Sequence, residues 1–551
     1  MRKHLFSSLL LLTFAAPVFA QQPSSSIADA QKDPVLKAML EELDRSKQQL
    51  QLQDFEKPYF IEYRIDDVAE YDADASYGAL LSEHETHRRV VRVTVRVGDY
   101  KLDNSSERGE GSLQIAALDD DPMALRYALW SATDSAYKTA LNSYTEKQAA
   151  LKAVQTPPQS DDFSQEKPFV SIGPILHEGL DRTAWKQRIV EATGLYRIDP
   201  AVKAFAQEIE TSDGSVLSRS RTEYLVNSEG TVVRKSTAGY RAEVSARAQA
   251  ADGMRLERSY GVSGLTSADL GSAEKFHNGV VRILTGLHDL RSAPVIADEY
   301  HGPVLFTGNA SAHAFDELFA HAVIARRPQI GSTARTLGPF ASSYKTRVLP
   351  DFLKVVDDPG LTEFEGHPVL GAYNVDDEGV PAQSVTLIDE GKLMSYLTGR
   401  EPIRDFSSSN GHARAAAAQI ARPQIGVFHV ETSEGLSEDD LTRKLLAMGK
   451  DQGLDAVYLV ETIGSTAVPR NLYRIKVADG SRELVRGAHL DDVNLRLFRS
   501  GIVAAGKDDY VFNTSGEVPS TIIAPPLLFD DITVKRAEQR NDKLPYYPPP
   551  E

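Results

Sequence analysis

The stretch Val91-Arg-Val-Thr-Val-Arg-Val97 decides the fold of the N-terminal half of this chain. Apolar and polar residues alternate in it, so an extended strand would carry four valines on one side and polar side chains on the other. An upstream run, Tyr59-Phe-Ile-Glu-Tyr-Arg-Ile65, is also rich in residues that favour strands. We predict a sheet with one buried face, to which both runs contribute.

A long helix is predicted to cover that sheet, from Asp121 to about Ala153. Asp120 and Asp121 supply the acidic start that helices favour. Apolar residues then recur at helical spacing, namely Leu125, Ala128, Leu129, Ala132, Ala136, Ala140 and Leu141. A sheet covered by a helix that follows it in sequence favours an α+β fold.

Further elements follow the same signals. Three turn sequences between Ala206 and Gly261 predict an antiparallel meander, and these are Ser212-Asp-Gly214, Asn227-Ser-Glu-Gly230 and Ala251-Asp-Gly253. Helical spacing returns from Ser267 to Leu290. The later strands are predicted at residues 303–306, 382–388, 456–460, 472–477 and 502–512. Helices are predicted near residues 312–325 and 437–450.

The chain divides into five segments by composition. We predict a signal peptide at residues 1–20, a lead-in segment with a short helix at 21–57, and an N-terminal α+β domain at 58–295. A β-rich domain at 296–540 and a proline-rich tail at 541–551 complete it. With 551 residues and 41% hydrophobic composition, the chain is long enough for domains with their own cores.

The stretch His313-Ala-Phe-Asp-Glu-Leu-Phe-Ala-His321 carries the chemistry. On a helix, His313, Glu317 and His321 step by four and share one face, while apolar residues gather opposite. Two imidazoles and a carboxylate can hold a divalent ion, and a neighbouring unligated Glu can take a proton from metal-bound water. The alternative is an amphipathic surface helix with an ordinary polar face.

The surroundings of this helix follow a recognisable order. Five segments succeed one another around it: Tyr300-His-Gly-Pro-Val-Leu-Phe306, Val355-Val-Asp-Asp-Pro359, Asp376-Asp-Glu-Gly-Val-Pro-Ala-Gln383, Val385-Thr-Leu-Ile-Asp-Glu-Gly-Lys-Leu393 and Asn410-Gly-His-Ala-Arg414. This succession resembles the TldD/PmbA family, also called the modulator of DNA gyrase family. The resemblance implies a two-domain α+β architecture, with mixed and antiparallel sheets and packed helices.

The resemblance also implies a metal-dependent peptidase that cleaves unstructured peptides. Active members carry His-Glu-x-x-x-His on this helix, and a later Cys completes the metal site. In this sequence Glu317 takes the place of the general base and His321 that of the second ligand, but Asp316 stands in the first ligand position. The chain contains no Cys. Because a carboxylate replaces an imidazole, the family's zinc would give way to manganese, magnesium or calcium.

Three interpretations of this degenerate motif remain open. Asp316 and His321 can face one ion if the helix widens locally, as a single-turn π-bulge allows. Alternatively, His313 supplies the missing imidazole. The third interpretation is a catalytically silent member that serves as a peptide-binding or scaffold subunit, alone or in a homo- or hetero-oligomer with another subunit of the family.

The N-terminus predicts export. Met1-Arg-Lys-His is basic, Leu5 to Phe14 is mostly apolar, and Val18-Phe-Ala20 supplies the small residues of a cleavage site. We therefore expect a periplasmic or secreted protein. No later run reaches the length of a membrane span, and a formal net charge of −17 argues against a nucleic-acid partner.

Two further groups of residues have weaker signals. Asp376, Asp377 and Glu378 can bind a cation, but the adjacent Gly379 and Pro381 predict a turn with solvated acids. His412 lies in an Asn-Gly-rich loop and is a candidate for lining the cleft, although a loop histidine is more often only exposed.

Overall fold

The computed structural model describes residues 26–105, 111–538, 542–545, 547 and 550. The predicted signal peptide at 1–20 lies outside these residues. So do several positions of the predicted tail. Within the described part of the chain, no helix is both long and apolar enough to cross a membrane.

Eight α-helices are found in these residues. They are α1 (Ile27–Ala30), α2 (Pro34–Gln49), α3 (Pro122–Ala153), α4 (Arg182–Ile198), α5 (Ala273–Ser292), α6 (Gly308–Phe319), α7 (Glu438–Asp451) and α8 (Leu495–Ser500). Two short 3₁₀ turns, Lys203–Glu208 and Ser267–Leu270, precede strand and helix respectively.

The strands fall into an N-terminal and a C-terminal set. The N-terminal set is β1 (Phe60–Ser76), β2 (Ala79–Arg96), β3 (Ser112–Ala116), β4 (Val170–Ile172), β5 (Ile209–Asn227), β6 (Val232–Gln249) and β7 (Arg255–Gly264). The C-terminal set begins with β8 (Tyr300–Phe306), β9 (Leu353–Asp357), β10 (Glu363–Phe364), β11 (His367–Pro368), β12 (Val385–Asp389), β13 (Lys392–Leu393), β14 (Ala413–Arg414), β15 (Arg422–Pro423) and β16 (Val427–Thr432). It continues with β17 (Gly435–Leu436), β18 (Ala456–Ser465), β19 (Val468–Lys476), β20 (Arg482–Val485), β21 (Ala488–Asp491), β22 (Ile502–Gly506), β23 (Tyr510–Thr514), β24 (Ser520–Ala524) and β25 (Leu527–Arg536).

The N-terminal strands form one seven-stranded sheet in the order β3-β2-β1-β5-β6-β4, with β7 also paired to β6. Its long strands let two groups of helices share one face. Helices α2 and α3 pack at one end of that face, against a core that includes Tyr63 and Val93. Helices α4 and α5 pack at the other end, around Trp185 and Phe276. The opposite face is rich in charged side chains.

The C-terminal strands form a six-stranded sheet, β13-β12-β9-β16-β24-β23, and an eight-stranded sheet, β17-β22-β25-β8-β18-β19-β20, with β21 paired to β25. Both sheets mix parallel and antiparallel neighbours. A single large core includes residues of both sheets together with Phe315 and Phe319 of α6. Helix α7 packs with Leu441 and Leu445 in a second core, which includes Leu305 and Val457 of the eight-stranded sheet. The architecture is α+β, as predicted.

Several sequence predictions are confirmed at the level of elements. The four valines at 91, 93, 95 and 97 are all buried. Helix α3 begins one residue after Asp121, whose side chain caps it by accepting from the Ala124 amide. The turns predicted at Asn227–Gly230 and Ala251–Gly253 connect β5 to β6 and β6 to β7.

Other predictions were wrong. Ser212-Asp-Gly214 is not a turn, because β5 runs through it and pairs on both sides with β1 and β6. The run 502–512 forms two strands, β22 and β23, in different sheets. The helix predicted at 312–325 begins earlier, at Gly308, and ends earlier, at Phe319.

Candidate functional site

Helix α6 holds the predicted site residues. Its N-cap is Thr307, whose hydroxyl accepts from the Ala310 amide at 3.4 Å and donates to the Glu461 carbonyl at 2.7 Å. Phe315 and Phe319 are fully buried and anchor one side of the helix in the core. The side chains of His313, Asp316 and Glu317 are left on the side that faces a cleft.

The end of α6 differs from the prediction. His321 lies in a turn two residues beyond the helix, so it does not continue the helical face of His313 and Glu317. The last hydrogen bond runs from the Ala320 amide to the Phe315 carbonyl at 3.3 Å, a step of five residues instead of four. A five-residue hydrogen bond is the kind of local widening that would bring Asp316 and His321 to one side.

The cleft next to α6 has a volume of about 1700 Å³. His313, Asp316, Glu317 and His321 all line it. Helix α3 of the N-terminal sheet forms part of its wall, through residues including Asn142, Glu146 and Lys147, as does the loop at residues 157–162. Sequence reasoning did not find these N-terminal contributions, because they lie more than 150 residues from α6.

His313 and Asp316 are both half-buried in this wall. Burial lowers the pKa of His313, although the carboxylates of Asp316 and Glu317 oppose that shift. Burial likewise raises the pKa of Asp316, against the attraction of His313 and His321. The Nδ1 atom of His313 is buried without a hydrogen-bond partner among the described residues. Perturbed pKa values next to an unsatisfied imidazole in a cleft are typical of functional sites.

Glu317 is held by a residue that the sequence did not indicate. The Thr466 amide donates to one carboxylate oxygen at 2.6 Å, and the Thr466 hydroxyl donates to the other at 3.1 Å. Thr466 lies in the turn between β18 and β19, 149 residues away. In this conformation the carboxylate expected to act as a base already accepts two hydrogen bonds from the hairpin.

The donor atoms at α6 are of a suitable chemical type for a divalent ion, since imidazole and carboxylate bind several such ions. Their placement fits less well. In the described ranges, no group of three or more His, Asp or Glu residues is close enough to hold a metal ion. The residues as placed therefore do not form a centre with three protein ligands.

His412 does not line this cleft. It is fully buried, with Nδ1 3.0 Å from both the Asn410 carbonyl and the Asn410 side-chain oxygen. Its Nε2 lies 3.3 Å from Asp357 Oδ1. The predicted cleft role for His412 is replaced by a structural one, because both ring nitrogens are used to hold the loop.

The acids at 376–378 are not solvated, contrary to the prediction. Asp376 and Asp377 are 0% and 6% exposed, and Glu378 accepts from the Arg400 amide at 2.7 Å. Lys235 of the N-terminal sheet pairs with Asp377. The turn forms as predicted, but its carboxylates point into the protein because cations from the other sheet meet them there.

The cleft is also lined by several arginines, a feature that sequence reasoning missed. Its lining cations include Arg326, Arg327, Arg335, Arg404 and Arg422. The adjacent pair Arg326-Arg327, five residues after His321, was the available signal. The cleft lining thus combines the acidic and imidazole side chains of α6 with a group of arginines.

Comparisons with known proteins agree with this architecture. Residues 299–536 match the family model described as the PmbA/TldA metallopeptidase C-terminal domain. A protein of Archaeoglobus fulgidus named metalloprotease is 26% identical over 192 residues, which are 33% of this chain and 40% of that protein. The match therefore spans well under half the length of this relative.

Solved structures share the fold over nearly the whole chain. TldE from Thermococcus kodakarensis is similar over 90% of this chain and 100% of its own, with 15% identity and a TM-score of 0.59. A protein from Thermotoga maritima MSB8, described as a candidate modulator of DNA gyrase, matches over 92% and 100%, with 14% identity and a TM-score of 0.58. Residues 299–536 are therefore similar to the C-terminal domain of the PmbA/TldD family, and nearly the whole chain shares the fold of these solved structures.

Proposed function

We propose that the chain is a peptidase of the TldD/PmbA family that holds an unstructured peptide in the cleft beside α6. The observation that carries this proposal is the convergence of His313, Asp316, Glu317 and His321 on one wall of a cleft of about 1700 Å³. Such a cleft can take a flexible peptide but is too small for a folded protein domain. The family model's description as a metallopeptidase domain supports the same reaction class.

In this proposal Glu317 accepts a proton from the attacking water. It lies at the cleft surface, whereas Asp316 is half-buried and has a raised pKa. Thr466 donates to both oxygens of Glu317 and holds the carboxylate in place, and each oxygen keeps a second lone pair that can take that proton. The Nδ1 atom of His313 is buried and unpartnered among the described residues, and it can bond to a bound peptide or water once the ring turns toward the cleft.

A second candidate is a catalytically silent subunit that binds peptide or serves as a scaffold. The two hydrogen bonds from Thr466 to Glu317 and the lack of three grouped ligands among the described residues favour it. Either function is compatible with assembly with another subunit of the family.

Glu317→Gln tests the proposed reaction. We expect turnover of a flexible peptide library to fall by about 10²–10⁴-fold, the usual contribution of a general base, with the thermal unfolding midpoint close to wild type. Glu434→Gln, an exposed position outside the cleft, is the matched control. The assay includes wild type mixed with any co-purifying relative. Cleavage that persists in Glu317→Gln places the chemistry elsewhere, and no cleavage in any mixture favours the silent subunit.

Elemental analysis of the same preparations tests the metal. If an ion binds at α6, the content of zinc, manganese, magnesium or calcium falls by orders of magnitude in His321→Ala, because few other ligands are present. If the metal content of His321→Ala equals that of wild type, the ion does not bind at α6.

Export is also part of the proposal, on the basic, apolar and small-residue pattern of residues 1–20. We expect the intact mass of the protein from a periplasmic or secreted fraction to correspond to a chain that begins at Gln21. A mass that retains Met1 to Ala20 contradicts it.

A further inference from the structure

Two arginines of the cleft lack a carboxylate partner among the described residues. The other lining cations are paired: Lys147 and Arg327 with Asp162, Arg335 with Asp405, Arg400 with Glu229, and Arg422 with Glu401. The Arg326 side chain forms no ion pair with a carboxylate of a described residue. Within the described part of the chain, the Arg404 side chain donates only to the Thr333 carbonyl, at 2.9 Å.

Both arginines are attached to one short loop. The Arg326 amide donates to the Thr336 hydroxyl at 2.8 Å, and that hydroxyl donates back to the Arg326 carbonyl at 3.0 Å. Arg404 is bonded to Thr333, three residues before Thr336. Three residues span at most about 10 Å, so these two anchor points are near one another on the same wall.

The two arginines bring positive charge without a carboxylate partner among the described residues into the cleft of an acidic protein. The chain has a formal net charge of −17, which makes acidic partners for surface cations plentiful. A concave site with low-dielectric walls concentrates the field of its cations and attracts anions. The anion that a peptide carries is a carboxylate, and arginine binds it through charge-assisted hydrogen bonds.

The distance to α6 sets the reach of such a contact. Arg326 follows His321 by five residues, which span at most about 17 Å. The intervening backbone is held against Leu397, through hydrogen bonds with Val323 and Ala325. A peptide lying along this wall therefore places a group bound at Arg326 within about five residues of a bond at α6.

We propose that Arg326 and Arg404 together bind a carboxylate of the peptide in the cleft, and so select acidic peptides or peptides with a nearby C-terminus. This inference rests on the proposed function, since it assumes that the cleft holds peptide. It adds a substrate class to that function: peptides that carry a carboxylate within about five residues of the reacting bond.

Calorimetric binding to four synthetic peptides tests the inference. Each is an N-acetylated decapeptide of Gly, Ser and Ala with one central Glu or Gln, and each is made with a free or amidated C-terminus. The protein is the full chain carrying Glu317→Gln, so that bound peptide is not consumed. We expect at least one carboxylate form to bind about tenfold or more tightly than the neutral amidated peptide, the usual gain from hydrogen bonds to a charged group.

The arginine variants identify the source of that preference. Arg326→Gln, Arg404→Gln and the double variant should bind the carboxylate peptides no more tightly than the neutral one, so the ratio of the two affinities falls to about one. The preference should also weaken with salt. Arg443→Gln, on the exposed side of α7, removes the same charge away from the cleft and should keep the preference. A loss confined to the peptides with a central Glu identifies a side-chain carboxylate as the bound group. A loss confined to the peptides with a free C-terminus identifies the terminal carboxylate.

The outcomes separate the inference from the proposed function. A preference that survives the double variant, an equal loss for all four peptides, or no preference in the parent protein overturns the inference. Cleavage of peptides by wild type without regard to carboxylates would leave the proposed function standing alone. Selective binding without cleavage would leave the inference standing for a silent subunit.

Discussion

At the scale of single residues, His313 combines a structural cost with a functional position. Its ring packs against Phe512 with centroids 5.0 Å apart, while Nδ1 is buried without a partner in the described residues. A buried polar atom left unsatisfied costs about 1–3 kcal/mol. A protein that retains such an atom in a cleft has a reason other than stability for keeping the imidazole there.

His313→Phe tests this interpretation. Phenylalanine keeps the aromatic contact with Phe512 and removes the unsatisfied nitrogen, so we expect the free energy of unfolding to stay the same or rise by up to about 1 kcal/mol. Peptide turnover or binding should fall at the same time. Chemical denaturation and the peptide assay measure the two effects. A marked loss of stability without a change in peptide handling would show that His313 is a packing residue.

The sequence predicted the identity of the site residues at this scale but not their partners. Asp316, Glu317 and His321 could be selected because a local motif carries them. Thr466 could not, because its contact with Glu317 joins residues 149 positions apart and no pattern near Thr466 marks it. The prediction for His412 failed for a similar reason. Its buried partner Asp357 lies 55 residues away in the sequence, so no local pattern showed that this loop histidine is buried.

At the scale of elements, the sequence predicted helix bounds best where two independent local signals indicated the same element. Helix α3 has both a capping aspartate and a long apolar repeat, and its predicted bounds agree with Pro122–Ala153. Gly214 shows the opposite case. It follows Ser212-Asp213 in a turn-like sequence, yet a side chain there would contact Thr193 and Val244, so the glycine allows close packing within β5. The local sequence alone does not distinguish a glycine required by close packing from a glycine required by a turn.

The end of α6 shows how one hydrogen bond can decide a site. The apolar repeat continues past Phe319, so periodicity predicted a helix to residue 325. The five-residue hydrogen bond at Ala320 ends the helix instead, and Ala325 pairs with Leu397. As a result His321 leaves the helix and Arg326 lines the cleft, so the lining contains both acidic and basic side chains.

At the scale of the whole molecule, the polar face of the N-terminal sheet is not a solvent face. Arg64 and Arg92 donate to the carbonyls of Gln419 and Ala418 in the C-terminal half, and the Ala418 amide donates to Asp66. Arg221 bonds both Asp66 and the Ala415 carbonyl. Alternation correctly predicted which side chains share a face. It could not show that segments of the C-terminal half cover that face, because these segments lie about 200–350 residues away.

Two buried acids in this contact make its stability depend on pH. Burial, together with repulsion from Asp377, raises the pKa of Glu223 to about 7, and burial raises that of Asp376 to about 7. An acid with a pKa raised by folding favours the folded state most below its unfolded pKa of about 4, and loses that contribution as pH rises through 7. The pKa of Asp377 is lowered, because the attraction of Lys235 and Arg221 outweighs the effect of burial. Asp377 therefore changes the stability of the protein only in strong acid.

We therefore expect the stability of wild type, relative to Glu223→Gln, to fall by roughly 1–3 kcal/mol between pH 5 and pH 8. Thermal and chemical unfolding at several pH values measures the difference, with Glu434→Gln as the exposed control. Burial lowers the pKa of His313, so its contribution to stability rises with pH and has the opposite sign, but His313 is common to all three proteins and cancels in the comparison. Parallel stability curves for wild type and Glu223→Gln would mean that Glu223 stays ionised in the folded protein, held so by Arg221 and Lys235. A falling difference would instead show that the N-terminal sheet meets the C-terminal half through a protonated carboxyl, and that this contact weakens as the pH rises.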